Sequence, residues 1–209
     1  MVQQTSNSQR RRELRRAQER DVVLDAASRL FAEHGYNETG MTEIAKSVSF
    51  SVGKLYNLFE NKEDLFVSLV DDRMRHLVEV SASTTDPNAS AMTRLRQRVR
   101  AAVTYFADDP YFSRIFLSEY PSTADGLLMK ASQHHVQIVQ TCLQEAMDGG
   151  EIPLEDPAVL ANLICTAVNG LLDQLIVGNQ TIDPEWVMSY TERFMLRPIE
   201  TQMQAHQAQ

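Results

Sequence analysis

Three short amphipathic segments that lead into a long one constrain the fold of this chain more than any other feature of its sequence. Apolar residues recur at three- to four-residue spacing over residues 20–34, 40–48 and 52–59, and again after Asn61. The breaks between these segments are brief and polar, and both Ser51 and Asn61 suit a helix N-cap. We therefore predict three short helices that feed directly into a long fourth helix.

The remainder of the chain has the same helical periodicity, and its prolines stand at segment boundaries. Asp156-Pro157 and Asp183-Pro184 are each typical of an N-cap followed by proline in the first helical turn. No segment alternates in the manner of a strand. We predict an all-α protein of about nine helices, the last five over residues 91–107, 111–119, 121–148, 157–177 and 184–196.

The charge of the chain is unevenly distributed. The formal net charge is −8, yet residues 1–62 hold ten Lys/Arg against eight Asp/Glu, and residues 9–20 alone hold six arginines. Counterion release depends on the charges near phosphate, so a basic arm on an acidic body can still bind DNA. We predict a disordered basic arm over residues 1–17, and a merely solvated tail remains the alternative.

Residues 157–177 form the longest apolar segment. Four polar residues interrupt it, namely Asn162, Asn169, Asp173 and Gln174. This pattern favours a buried helix of a soluble protein over a membrane span, and no apolar run of a secretory signal follows the arginines, so we predict a cytoplasmic protein. Cys142 and Cys165 lack partners at metal-ligand spacing, and we predict neither a metal nor a cofactor.

The order and spacing of the first four segments resemble the DNA-binding domain of the TetR family. The matching stretches are LFAEHGY at 30–36, IA at 44–45, GKLYNLF at 53–59 and NKEDLF at 61–66. The resemblance covers about residues 18–66. It implies a helix-turn-helix whose second helix enters the major groove, and a variable C-terminal domain that dimerises and binds an inducer.

Three positions depart from the pattern of that family, and one of them is Leu58, which occupies a position that is often aromatic or His. Gly40 stands where a Thr or Ser usually caps the second helix, so one phosphate contact is lost. Ser49 stands where the turn commonly has Gly, and it requires a backbone geometry that costs on the order of 1 kcal/mol. These departures affect the operator sequence more than the fold.

Residues 52–59 meet the physical requirements of a recognition helix. Leu55 and Phe59 supply a buried face, which leaves donors on the other face for base edges and phosphates. The predicted DNA-binding residues are Thr42, Ser51, Val52, Gly53, Lys54, Tyr56, Asn57 and Lys62. Lys62 is expected to bind a phosphate beside the first turn of the fourth helix. Ordinary packing, capping or solvation remains the alternative for each of them.

We divide the chain into the basic arm at 1–17, a helix-turn-helix domain at 18–62, and a helical ligand-binding and dimerisation domain at 63–209. Within the last domain, residues 157–177 are apolar nearly all round, so this helix needs packing surfaces on two sides. Together with the final helix they predict a four-helix dimer interface, with burial inside one chain as the alternative. The predicted interface residues are Leu160, Ile164, Val168, Leu171, Leu175, Trp186, Tyr190 and Phe194.

Aromatic residues of the middle helices are candidates for the lining of a ligand pocket, although core packing also explains them. The candidates are Phe106, Tyr111, Phe112, Phe116 and Tyr120, with His134, His135 and Asn169 as polar contacts. Adjacent histidines point about 100° apart on a helix, so the His134 and His135 pair is a poor chelator.

These patterns predict a homodimeric repressor that binds a palindromic double-stranded operator and is released by a small-molecule inducer. The sequence has no phosphate-binding glycine loop, no His-Glu metal spacing and no nucleophile elbow, so we predict no enzymatic activity. The alternative is a helical interaction protein whose helix-turn-helix no longer binds DNA.

Overall fold

A computed structural model describes residues 2–117, 125–178 and 180–200, and over these residues the backbone is helical without any strand. The all-α prediction is confirmed. The helices are α1 (Val2–His34), α2 (Met41–Ser47), α3 (Val52–Leu58), α4 (Lys62–Thr84), α5 (Ala91–Asp108), α6 (Pro110–Leu117), α7 (Asp125–Asp148), α8 (Pro157–Val177) and α9 (Pro184–Thr191). A π-helical turn, Glu192–Leu196, continues directly from α9.

The expected N-caps account for where several helices begin. The side chains of Ser51, Asn61, Asp156 and Asp183 each accept a hydrogen bond from a backbone N–H of the first helical turn. Each such cap is worth about 1 kcal/mol, because it satisfies a donor that the helix itself leaves free. The starts of α3, α4, α8 and α9 are therefore encoded locally.

Helix α1 differs from the prediction because it already begins at Val2, where the charge pattern predicted a disordered arm over residues 1–17. Residues 9–20 are mostly good helix formers, and Arg15 pairs with Glu19 one turn later at 3.3 Å. Arg16 also donates to the carbonyl oxygen of Asn57 at 3.2 Å. These interactions hold the basic stretch as a helix beside α3. The division into three domains stays a prediction.

A continuous core joins the N-terminal helices to the rest of the molecule, and α4 carries this connection. Leu65 and Phe66, in its first two turns, pack with the core residues of α1 to α3, whereas Met74 and Leu77 face α5 and α7. A displacement of α4 would therefore move residues both among the N-terminal helices and in the contact with α5 and α7.

Arg73 on α4 adds a polar connection between α1 and the junction of α5 with α6. Its guanidinium pairs with Asp25 of α1, and its Nε lies 3.4 Å from a carboxylate oxygen of Asp109. The hydroxyl of Tyr105 donates to the carbonyl oxygen of Arg73 at 2.9 Å. These contacts position the N-terminal helices relative to α6.

Candidate DNA interface and ligand cavity

Helices α2 and α3 form a tight pair around a short turn. Ile44, Ala45 and Leu55 are buried between them. Ser49 adopts a left-handed backbone with φ of 59°, as its position in the turn predicted, and this geometry costs a non-glycine residue on the order of 1 kcal/mol. The amide of Phe50 closes the turn by donating to the carbonyl oxygen of Ala45 at 2.8 Å.

The face of α3 opposite this contact is open to solvent. Ser51, Gly53, Tyr56 and Asn57 are exposed, and 52% of the Tyr56 surface is accessible. Val52 is half-buried and packs against the core, which is the packing alternative that its apolar side chain suggested. An amphipathic helix that buries one side and presents polar groups on the other can enter a DNA groove.

Lys54 has an acidic partner close to this face. Its ammonium lies 2.8 Å from a carboxylate oxygen of Glu19 on α1 and 3.7 Å from the centre of the Phe50 ring. The hydrogen bond from Lys54 lowers the pKa of Glu19. A phosphate contact by Lys54, which stays a prediction, would therefore have to replace the contact with Glu19.

Lys62 is bound to backbone acceptors, and its contact with a phosphate stays a prediction. Its ammonium donates to the carbonyl oxygens of Tyr36, Asn37 and Thr39 at 2.8, 3.3 and 3.0 Å. Three bonds use all three of its donors. The ammonium also lies 4.3 Å from the centre of the Tyr36 ring, so Lys62 ties the start of α4 to the loop after α1. Thr42 is exposed on α2 and remains a candidate.

Replacing Lys62 by methionine is expected to lower the free energy of unfolding by about 2–3 kcal/mol, because three carbonyl oxygens lose a charged donor. Urea unfolding followed by circular dichroism measures this change. Lys46→Met, at an exposed lysine of α2, is the matched control and should change stability by less than about 0.5 kcal/mol. Unchanged stability in Lys62→Met with weakened DNA binding would restore the phosphate role.

Two arginines of α1 support α3, although the sequence analysis did not assign them to the site. Arg16 and Arg20 donate to the carbonyl oxygens of Asn57 and Leu58 at the C-terminal end of α3, at 3.2 and 2.5 Å. The Arg20 guanidinium also lies 4.2 Å from the centre of the Phe59 ring. They set the angle of the recognition helix from its C-terminal end, and only their membership in the arginine cluster pointed to them.

An apolar cavity of about 40 Å³ lies between α4, α5, α6, α7 and α8. Four of the predicted ligand contacts, Phe106, Phe116, His135 and Asn169, are in its wall. The wall residues that the sequence analysis missed are aliphatic or sulfur-containing: Met74, Leu77, Val99, Ala102, Val103, Val136, Val139, Ile164, Cys165, Val168 and Leu172. Their spacing along the sequence is the same as that of ordinary core residues, so the sequence could not identify them as cavity residues.

Three of the other four candidates, Tyr111, Phe112 and His134, do not line the cavity. Phe112 is fully buried behind the wall, with its ring centre 6.1 Å from that of Phe106. Tyr111 and His134 are exposed, because the helical periodicity turns them away from their buried neighbours. Tyr120 lies outside the described residues.

His135 is the one histidine in this cavity wall. Burial, together with His134 and Arg98, lowers its pKa to about 4. A histidine is ordinarily half-protonated near pH 6.5, so burial holds this imidazole neutral at physiological pH.

This pKa predicts a loss of stability in acid. Between pH 6.5 and 4 the unfolded chain binds a proton at His135 that the folded chain does not bind, so stability falls as the pH falls through this range. Replacing His135 by glutamine should reduce the loss between pH 7 and pH 4.5 by about 2 kcal/mol. Urea unfolding at both pH values measures it. His134→Gln, at the exposed neighbour, should keep most of the loss; equal pH dependence in wild type and His135→Gln would contradict the prediction.

Comparisons with known proteins agree with this geometry. Residues 23–69 match the family model for bacterial regulatory proteins of the tetR family. The chain belongs to the TetR family.

Individual relatives cover most of the chain. A fatty acid metabolism regulator protein of Bacillus subtilis is 26% identical over 62% of this chain and 69% of its own length. The transcriptional repressor BepR of Brucella suis is also 26% identical, over 83% and 88%. The crystal structure of FadR from Bacillus subtilis in complex with stearoyl-CoA superposes with a TM-score of 0.74 at 21% identity, covering 81% of this chain and 96% of that one. The protein is thus a member of a family of transcriptional regulators.

In this TetR-family chain, α8 has one face in the cavity wall and another in solvent. Ile164 and Val168, which were predicted at a dimer interface, are buried within the chain and line the cavity, so that prediction is wrong for both. Leu160, Leu171 and Leu175 are half-buried against the core. The solvent face carries residues that the sequence analysis did not select, namely Val159, Leu163, Thr166 and Gly170.

The aromatic residues of the last helix continue this exposed surface. Trp186, Tyr190 and Phe194 are all exposed and lie one turn apart, with ring centres 4.6 and 5.7 Å from one neighbour to the next. A row of three exposed aromatic rings in mutual contact is unusual on a surface that faces only water.

The same helix α8 is long and apolar enough to cross a membrane by length and composition. Only 28% of that stretch is buried inside the chain. One such helix is weak evidence for a span, and its cavity-facing side packs within the protein.

Proposed function

We propose that this regulator is a homodimeric repressor that binds a palindromic operator and leaves it when a small apolar ligand enters the cavity. The observation that carries the proposal is the continuity of α4. Near its start, Arg20 of α1 donates both to Ser68 of α4 and to the carbonyl oxygen of Leu58 on α3. Met74 and Leu77 further along α4 line the cavity. A ligand that displaces α4 would therefore change the placement of α3.

A dimer is supported by the apolar surface that one chain leaves uncovered. Val159 and Leu163 on α8 are more than half exposed and lie one turn apart, and Gly170 on the same face has open space where a side chain would stand. A glycine at that place allows a second helix to approach closely. Together with the aromatic row of α9 and the π-helical turn, this face supports a four-helix interface about a two-fold axis. Two recognition helices about 34–36 Å apart would then read successive major grooves.

The cavity favours an apolar inducer. At about 40 Å³ it has room for roughly three water molecules, so a larger acyl chain must push its walls apart. Phe106 and Phe116 are among those walls, and they flank Asp109, which pairs with Arg73 of α4. Expansion would thus strain the connection from α6 through Arg73 to Asp25 on α1. If the ligand binds the displaced conformation more tightly than the DNA-binding conformation by about 1–3 kcal/mol, its binding would change operator affinity five- to 150-fold.

The relatives suggest a chemical class for this inducer. FadR of Bacillus subtilis was solved with stearoyl-CoA, and the wall of the present cavity is mainly aliphatic and aromatic. We therefore propose an acyl thioester of coenzyme A as the first class to test. A cytoplasmic location follows from the proposed partners, because both chromosomal DNA and acyl-CoA are found there.

A helical interaction protein without DNA binding is the second candidate. It is favoured by two observations: Gly40 gives α2 no side-chain cap, and Lys62 donates to carbonyl oxygens instead of standing free for phosphate. Against it stands the exposed polar face of α3.

Fluorescence anisotropy on duplexes selected from a random pool distinguishes the two candidates. For the repressor we expect one palindromic sequence to be enriched, with binding that weakens steeply between 50 and 200 mM salt. Adding decanoyl-CoA or stearoyl-CoA should then release the DNA. Enrichment of no sequence would favour the interaction protein. Selective DNA binding that no acyl-CoA weakens would leave the DNA-binding role and reject the proposed inducer class.

A further inference from the structure

Four arginines lie at alternate positions along α5, and three of them have acidic partners. Arg94 pairs with Glu145, Arg96 with Glu192 and Glu200, and Arg100 with Glu185. Arg98 has no ion pair with any residue that the structure describes, and its Nε is buried without a hydrogen-bond partner. The side chain of Arg98 also forms a hydrogen bond with that of Cys142. Since a buried N–H is costly when it has no partner, the Nε of Arg98 requires a separate explanation.

Arg98 lines an open groove whose walls come from α4, α5 and α7, three of the helices that also line the apolar cavity. The next residue, Val99, lines the cavity, whereas Arg98 itself lines the groove. On α7, His135 and Val139 face the cavity, and Cys142 faces the groove. The Arg98 charge is close enough to influence the pKa of both His135 and Cys142. The guanidinium is thus within electrostatic reach of a residue of each space.

The groove is large enough for a polar head group. Its volume is about 540 Å³, and it lies between α4, α5 and α7. Its lining residues are Ala82, Thr85, Pro87, Arg94, Arg98, Ile138, Thr141, Cys142 and Glu145. The cavity beside it is apolar and enclosed by aliphatic and aromatic side chains. A ligand that spanned the two spaces would find apolar walls at one end and a cationic side chain at the other.

We propose that Arg98 binds the anionic head group of the inducer while the apolar part of the same molecule occupies the cavity. The ligand class is an acyl chain that ends in a carboxylate or carries phosphate, as a fatty acid or its coenzyme A thioester does. A guanidinium has a planar fork of donors that matches carboxylate and phosphate oxygens, so Arg98 suits either group. The proposal rests on the ligand-responsive function proposed above and names the residue that selects the ligand.

The charges around Arg98 leave it available to an anion. Glu145 is the acidic residue of the groove, and its carboxylate already pairs with Arg94. His135 is held neutral by its lowered pKa, and the hydroxyls of Thr85 and Thr141 donate to backbone carbonyl oxygens of their own helices. The described groove therefore has one net positive charge, which belongs to Arg98.

Calorimetric titration of the full-length protein with three ten-carbon probes tests this inference. Decanoate, decanoyl-CoA and decanol share a chain length, and decanol alone lacks an anionic group. We expect the wild type to bind at least one of the two anions about tenfold or more tightly than decanol. Whichever anion shows the larger preference identifies a free acid or a thioester as the source of the head group.

Substitution of Arg98 assigns this preference to its guanidinium. Arg98→Met should remove the preference and leave decanol affinity unchanged, whereas Arg98→Lys should keep part of it. Arg100→Met, at an exposed arginine of the same helix that pairs with Glu185, is the matched control and should bind all three probes as the wild type does. Urea unfolding of each variant checks that it is folded; if Arg98→Met is not, Arg98→Gln takes its place.

Three results would overturn the inference. These are equal affinity of the wild type for decanol and both anions, an anion preference that survives in Arg98→Met, and binding of none of the probes. The first two leave the proposed repressor function intact, provided that the probes still release operator DNA in the anisotropy assay. If the wild type selects no DNA sequence in that assay, the proposed repressor function is rejected, and this outcome does not depend on Arg98.

Discussion

Replacing Leu163 by arginine is expected to convert the protein to a monomer and to lower its operator affinity by about 100-fold or more. Leu163 lies at the exposed apolar face of α8 and is 56% accessible in the single chain, so the substitution leaves the fold of the monomer intact. In the proposed dimer the arginine would enter an apolar interface in both subunits without a counter-ion. A monomer then loses the gain of about 10²–10⁴ that comes from linking two recognition helices.

Light scattering coupled to size exclusion and anisotropy on the selected operator measure the two parts of this prediction. Leu154→Arg is the matched control, because Leu154 is also an exposed leucine but precedes α8 and lies outside its apolar face. We expect Leu154→Arg to stay dimeric and to bind DNA normally. A Leu163→Arg protein that remains dimeric would move the interface away from this face of α8.

Replacing Tyr56 by alanine is expected to weaken operator binding by roughly 25-fold to more than 1,000-fold. A side chain that contacts a base contributes about 1–3 kcal/mol, and a two-fold operator is contacted by two copies, so the loss is about 2–6 kcal/mol. Tyr56 is 52% exposed on α3, and no described interaction commits its hydroxyl, so truncation should not affect folding. Asn57→Ala, at the adjacent exposed position, is expected to have an effect of similar size.

The control for this pair is Tyr111→Ala, which removes a tyrosine of similar exposure from α6. It should leave operator affinity unchanged. Anisotropy with both the selected operator and a scrambled duplex separates base reading from phosphate binding: loss confined to the operator indicates base reading. If Tyr56→Ala binds the operator as tightly as the wild type, Tyr56 covers the edge of the core and does not read DNA.

The helices could be predicted because their signals are local. Caps such as Ser51 and Asp156 and the helical period of apolar residues determined where most helices begin and end. The strained turn at Ser49 was predicted for the same reason, since a φ near 60° depends on the position of one residue in a short turn. The one large difference, the start of α1 at Val2, arose because a run of arginines was interpreted by charge and not by helix propensity.

The partners of individual charged residues could not be predicted. Lys62 was expected to bind phosphate, yet its ammonium reaches three carbonyl oxygens from 23 to 26 residues earlier in the chain. Lys54 likewise finds Glu19 on α1. A lysine side chain can extend toward several partners, and only the packing of α1 against α3 and α4 decides between them.

The sequence by itself determined the helices, their caps and the DNA-binding module, because each depends on residues within a few positions of one another. Tertiary structure alone decided which face of α8 lines the cavity and which is exposed. Ile164 and Leu163 are adjacent and equally apolar, yet one is 2% accessible and the other 56%. Which of the two is buried depends on how α6, α7 and α9 pack on α8, and the packing of separate helices leaves no local trace in composition or periodicity.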